Sequence, residues 1–242
     1  MKKALILTLV LLTGVAFAES LTILDEDFES YDTIRPLSEQ SSWIAYQGHE
    51  SFYVVSDSGS KRLRFDRLDA SSGDRGNIKE FTIDPKGVDI DVIISFKFKL
   101  VDGQLNFGPF ENGYNSPSDG HLLTLFINKT SVNANLNGGY YGTLFTYESL
   151  DPNKWYKVEV VVNPVSKKIK SIKLGNNATD PSTTYDYLRV GDTGIPKGLI
   201  FYSAYGSSTD AYIDDVMVEA VPEPACLGLL ALAGLFLLRK RS

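Results

Sequence analysis

Val88-Asp-Ile-Asp-Val-Ile-Ile-Ser-Phe-Lys-Phe-Lys-Leu100 is the stretch that decides the fold. Val88, Ile90, Val92, Ile94, Phe96, Phe98 and Leu100 take alternate positions, and Asp89, Asp91, Ser95, Lys97 and Lys99 stand between them, with Ile93 the exception. Successive side chains of a strand point to opposite faces, so the pattern predicts one strand with an apolar buried face and a solvated one.

Similar signals recur at 52–56, 61–66, 76–83, 121–128, 141–147, 155–163, 168–174, 198–204 and 210–219, separated by clusters of Gly, Asn, Asp, Ser and Pro. The 13 Tyr and 13 Phe suit strands as well. Residues 34–41 could form one short helical turn, and no internal stretch carries a longer helical period. Many strands without alternating helices predict an all-β, antiparallel β-sandwich of jelly-roll type, one domain over 19–220.

Both ends of the chain read as targeting segments. Residues 1–18 have Lys2 and Lys3, an apolar core, and Ala16-Phe17-Ala18 as a cleavage box, the layout of a signal peptide. Residues 221–242 run from Pro222-Glu223-Pro224 through an unbroken apolar stretch, 225–238, to Arg239-Lys240-Arg241. As a helix that stretch spans roughly 21 Å at about 1.5 Å per residue, short against a hydrocarbon core of about 30 Å. The basic end stays cytoplasmic by the positive-inside rule.

The tail resembles the PEP-CTERM sorting signal of bacterial surface proteins, carried by Pro222, Glu223, Pro224, the apolar helix, and Arg239, Lys240 and Arg241. The resemblance implies export, recognition and processing by an exosortase-like membrane enzyme, and association with exopolysaccharide at the cell surface or in the extracellular matrix. The Leu-Pro-x-Thr-Gly box of a sortase signal is absent. Without the two end segments, 19 Lys plus Arg face 29 acids, a formal charge of −10. That charge argues against nucleic acid as a partner. The only cysteine, Cys226, lies in the tail, so the exported domain has no disulfide.

Asp25-Glu-Asp-Phe-Glu-Ser-Tyr31 near the start, Trp43, Trp155-Tyr-Lys-Val-Glu-Val160, and Tyr212-Ile-Asp-Asp-Val216 near the end form a second set. This layout resembles the concanavalin/laminin-G-like and carbohydrate-binding-module jelly rolls, which implies that the first and last strands are neighbours. Asp25, Asp27 and Glu29 alternate and so share a face. With Asp214 or Asp215 alongside, they form a candidate structural calcium site, since calcium takes six to eight oxygens.

Sugar-stacking candidates are Tyr114, Tyr140, Tyr141, Tyr147, Tyr185 and Tyr187, with Asn133, Asn135 and Asn137 nearby. Jelly-roll glycosidases of the laminarinase type carry Glu-x-Asp-x-x-Glu; Asp89-Ile90-Asp91 is the nearest echo and lacks the glutamates. His49 and His121 lie in no nucleophile motif. Asn128-Lys-Thr and Asn177-Ala-Thr match the glycosylation sequon and are read as chance matches in a chain with a bacterial sorting tail. The expectation is a non-catalytic surface or matrix protein associated with exopolysaccharide. A polysaccharide-active enzyme with a divergent site, a glycoside hydrolase or lyase, is the alternative.

Overall fold

The computed structural model describes residues 20–222 apart from 34, 47–51, 68–74, 85–88, 112–121, 137–139, 176, 180–194 and 204–207. The expected signal peptide with Ala16 and Ala18, and the tail beyond Pro222, lie outside the described residues, as do His49, His121, Tyr114, Tyr185, Tyr187 and Asn137. The described elements are fourteen strands and one 3-10 turn, Leu37–Glu39, within the span expected to hold a helical turn. All pairings are antiparallel. No described helix is long and apolar enough to cross a membrane.

The opening stretch lies in the longest strand, β6 (Ile90–Phe110). Its first half belongs to sheet A, between β10 (Tyr156–Asn163) and β14 (Thr209–Pro222). β10 continues to β11 (Lys168–Leu174) and β12 (Asn177–Thr179). β14 continues to β1 (Leu21–Glu26) at its C-terminal half and to β4 (Ser60–Arg67), then β3 (Phe52–Asp57), at its N-terminal half. The first and last strands are therefore neighbours, as expected.

The second half of β6 belongs to sheet B. There it lies between β7 (Leu123–Asn128) and β13 (Gly198–Ser203). Beyond β7 come β8 (Ser131–Leu136) and β9 (Tyr140–Thr146), and beyond β13 come β5 (Arg75–Glu80) and β2 (Trp43–Ala45). The chain is thus an antiparallel β-sandwich whose two sheets share one strand.

Crossing between sheets takes two devices. Gly103 adopts φ +77, and a Cβ there would lie 2.0 Å from the Ser208 carbonyl oxygen, so only glycine fits the corner. Two residues earlier, Asp210 opposes Asp102 while Ala211 opposes Leu100, leaving Val101 as an extra residue in the ladder. A bulge shifts side-chain parity by one. The core-facing residues accordingly change from even numbers (Ile90 to Leu100) to odd ones (Leu105, Phe107). The sequence reading ends this strand at Leu100; the bulge explains why its alternation is lost there.

The core between the sheets is aromatic at its centre. Phe96 meets Phe201 edge-on at 4.9 Å and Phe107 at 4.8 Å, and Phe52 stacks on Phe65 at 4.3 Å. One ion pair crosses this interior. Glu26 of β1 and Lys79 of β5, 9% and 8% exposed, lie 3.3 Å apart. The Glu26 Oε2 also accepts from the Tyr31 hydroxyl at 2.8 Å and the Trp43 indole N–H at 3.4 Å, and Lys79 donates to Ser42 at 2.8 Å. A buried pair needs such extra hydrogen bonds to offset its desolvation.

Candidate functional site

The acidic residues singled out in the sequence come together in part. The pairing of β1 ends at Glu26, yet exposure still alternates beyond it: Asp25, Asp27 and Glu29 are exposed while Glu26 and Phe28 are buried. Asp27, Glu29, Asp214 and Asp215 line one open depression of about 500 Å³ with Ser60, Arg62, Lys97 and Trp155; Asp25 is not part of its lining. A bulge in β14 between Asp214 and Met217 directs both closing aspartates there, and Asp215 takes φ +48 within it.

These carboxylates are occupied by protein groups. Asp214 is paired with the Arg62 guanidinium, and Asp215 with Lys97 at 2.5 Å. Asp27 accepts from the Glu29 N–H and Glu29 from the Lys61 N–H, each at 3.0 Å. Among the described residues no three Asp, Glu, His or Cys side chains are gathered as metal ligands. The donor set is that of a mixed-charge cluster, with two cations where a calcium cage would hold oxygens alone, and no role for calcium is derived from it.

A row crosses the same solvent face. Tyr53 opposes Arg64, Arg64 opposes Tyr212, and Tyr212 opposes Lys99. The Lys99 ammonium lies 4.2 Å from the Tyr212 ring centre and 5.5 Å from that of Trp155, over which Arg62 stands at 4.6 Å. Lys99 also reaches Asp57 at 3.1 Å, and its hydrogen bond there holds that carboxyl below the usual carboxylate range. Tyr212 and Trp155 thus carry cations over their faces, which makes this row a cross-strand zipper.

The outward face of sheet B is chemically different. By register, Thr143 (β9), Asn133 (β8), Phe126 (β7), Asn106 (β6), Tyr202 (β13) and Gly76 (β5) form one row across six strands. The neighbouring row runs from Asn135 through Thr124, Gly108 and Ile200 to Ile78. Tyr46, Ile78, Phe110, Ile200 and Tyr202 form a second apolar cluster at one end of this face, while Asn135 and Thr143 are exposed at the other. Gln104 donates to the Asn106 Oδ1 at 2.7 Å, and Thr143 to the Asn133 Oδ1 at 2.8 Å. Among the described residues the Asn106 Nδ2 is buried without an acceptor, in a residue that is 0% exposed. Such an unmade bond costs about 1–3 kcal/mol.

Sequence reasoning singled out Asn133 and Asn135 without assigning 131–136 to a strand. Asn106, Phe126 and Tyr202 were missed. The alternation of Val132, Ala134 and Leu136 with Ser131, Asn133 and Asn135 was the available signal. Tyr147 is removed from the sugar-platform candidates: its hydroxyl donates to the Asn128 carbonyl, its ring packs on the core, and burial pushes its pKa upward. Tyr140 and Tyr141 lie in β9, but their side chains are outside what is described. Asp89 and Asp91 both accept from the Asn163 amide at 2.9 Å, and Asp91 also holds Lys170. Asn128 closes a turn through the N–H groups of Thr130 and Ser131.

No protein-family model matches the chain, nor does any curated protein sequence. Solved structures do match in fold. A carbohydrate esterase of Shiga toxin-encoding bacteriophage phi24B superposes with TM-score 0.57 at 16% identity, covering 85% of this chain and 100% of its own. A mutant of alginate lyase Aly36B, in complex with an alginate trisaccharide, gives 0.52 at 15%, covering 84% and 98%. A lectin from Bauhinia forficata in complex with GalNAc gives 0.50 at 12%, covering 84% and 99%. At these identities the likeness is one of fold.

Proposed function

We propose that this is a non-catalytic glycan-associating protein on a jelly-roll sandwich, exported through its signal peptide. Its tail delivers it to the cell surface or extracellular matrix after processing by an exosortase-like enzyme. The observation that carries the glycan reading is the open end of the sheet B face, where Asn135 and Thr143 are exposed and Asn133 and Phe126 are half-buried. Aromatic faces and fixed amide dipoles are the groups that recognise a sugar's C–H face and its hydroxyls. The fold neighbours named above as an esterase, a lyase and a lectin accord with a carbohydrate ligand. Asp89 and Asp91 are held by Asn163 and Lys170.

The exported domain should be screened on a glycan array and on chromogenic polysaccharides. Retention without colour release is expected. Released product would identify a polysaccharide-active enzyme, and a blank in both assays would leave a purely structural matrix protein.

A further inference from the structure

On the reading that residues 225–238 enter a bilayer, we infer that the end of sheet A from which the chain leaves rests on the lipid surface, with Leu21 and Val165 as its apolar contacts. Among the described residues three large apolar side chains stand exposed: Leu21 at 63%, Val165 at 55% and Tyr53 at 45%. Such residues are ordinary when scattered, but Leu21 and Val165 share one end of the sheet. Leu21 opens β1 and opposes Ala220, just before Pro222. Pro222 opposes Ile90, the first residue of β6. β10 runs antiparallel to β6, with Val162 opposite Val92, and ends at Asn163. The turn 164–167 that carries Val165 therefore comes level with Pro222. β1, β14, β6 and β10 are successive neighbours, which places that turn roughly 14 Å from Leu21 at about 4.8 Å per strand.

Hydrogen bonds fix that turn. The Asn163 Oδ1 accepts from the Ser166 N–H at 2.7 Å and from its hydroxyl at 2.9 Å, while the Nδ2 donates to Asp89 and Asp91 at 2.9 Å. Val165, Ser166 and Lys167 are exposed at the tip. Val165 is thus held outward on a frame tied to the start of β6, and seating it in a lipid interface requires little further ordering. Only Glu223 and Pro224 separate Pro222 from the apolar run. Three peptide steps of about 3.8 Å reach at most about 11 Å, and the headgroup layer is about 5–7 Å thick on each side of a bilayer. A run that enters hydrocarbon at 225 therefore draws this end of the sheet down to the headgroups. The exported part carries −10, and Lys167 shares this end with Asp89, Asp91 and Glu219, so charge does not drive the contact. The tether instead supplies the local concentration at which two apolar side chains suffice.

Site-specific fluorescence on the exported chain with its tail intact tests this, in vesicles of phosphatidylethanolamine and phosphatidylglycerol at three to one. In a Cys226→Ser background, Leu21→Cys, Val165→Cys and Tyr53→Cys each place one environment-sensitive fluorophore at an exposed position. Tyr53 opposes Arg64, whose partner Tyr212 lies about 33 Å along β14 from Pro222 at roughly 3.3 Å per residue, so its label is the control. All three proteins should float with the vesicles. A lipid carrying a nitroxide on its headgroup should quench the labels at 21 and 165 at least twofold more than the label at 53, unchanged by added salt. Quenching at 21 or 165 no greater than at 53 overturns the docked end and leaves the membrane-entering tail standing. Quenching that salt abolishes overturns the apolar contact. Failure to float overturns the tail reading and this inference with it.

Discussion

Tyr31 shows how a single buried partner couples stability to pH. Burial, and then the hydrogen bond to Glu26, push its phenol from an ordinary 10 up to about 12. The folded state therefore holds the proton more tightly than the unfolded chain. The resulting stabilisation is fully present below pH 10 and is lost as pH rises through about 12. Tyr147 shifts in the same direction. Replacing Tyr31 by Phe should cost about 1 kcal/mol at neutral pH and reduce the alkaline slope of stability, leaving the part due to Tyr147. Urea melts at pH 8 and pH 11 measure both effects; an unchanged alkaline slope would contradict the assignment. The burial behind this shift is not legible in sequence, because the interior that holds Glu26 is completed by Lys79, 53 residues away.

At the scale of elements, two glycines with positive φ make an internal comparison. Gly59, at φ +92, sits in the turn between β3 and β4, where an added Cβ would have nothing within 4 Å. Gly103 has the Ser208 carbonyl where its Cβ would be. Gly59→Ala should cost about 1 kcal/mol for backbone strain alone. Gly103→Ala adds a backbone clash and should cost about 3 kcal/mol or more. The difference in urea midpoints reads this out, and similar midpoints would mean that the corner can open without penalty.

The same corner marks where sequence legibility ends. The faces of residues 90–100 followed from period two, and so did the strands at 52–56, 155–163 and 210–219. The continuation of β6 did not, since Val101 breaks parity and Asp102-Gly103 imitates a turn. β8 was lost because asparagines are poor strand formers, although they are the outward face. Asp27, Glu29, Asp214 and Asp215 come together because β1 pairs with β14, while Asp25 stays apart, and Arg62 and Lys97 arrive from other strands and change what the cluster is.

For the whole molecule, the way the chain leaves the sandwich matters most. β14 extends through Val221 and Pro222, which oppose Asp91 and Ile90, so the first residue of the Pro-Glu-Pro triplet is still part of the sheet. An enzyme that cut the chain at the triplet would meet a substrate whose first residue still lies in a strand. Mass spectrometry of the protein from its native host should find a mature C-terminus within 222–225. Recovery of an intact Ser242 would mean a permanently attached tail.

The shared strand also fixes how tension would travel. β6 presents Gln104 and Asn106 in one sheet and, ahead of Gly103, lies antiparallel to β14 in the other. A pull on the chain beyond Pro222, resisted at the sheet B half of β6, draws β14 and β6 in opposite directions along their axes. That is shear, in which the ladder from Thr209–Gly103 to Pro222–Ile90 resists together instead of unzipping bond by bond. A load applied along the chain at Pro222 would therefore have to break this ladder as a unit.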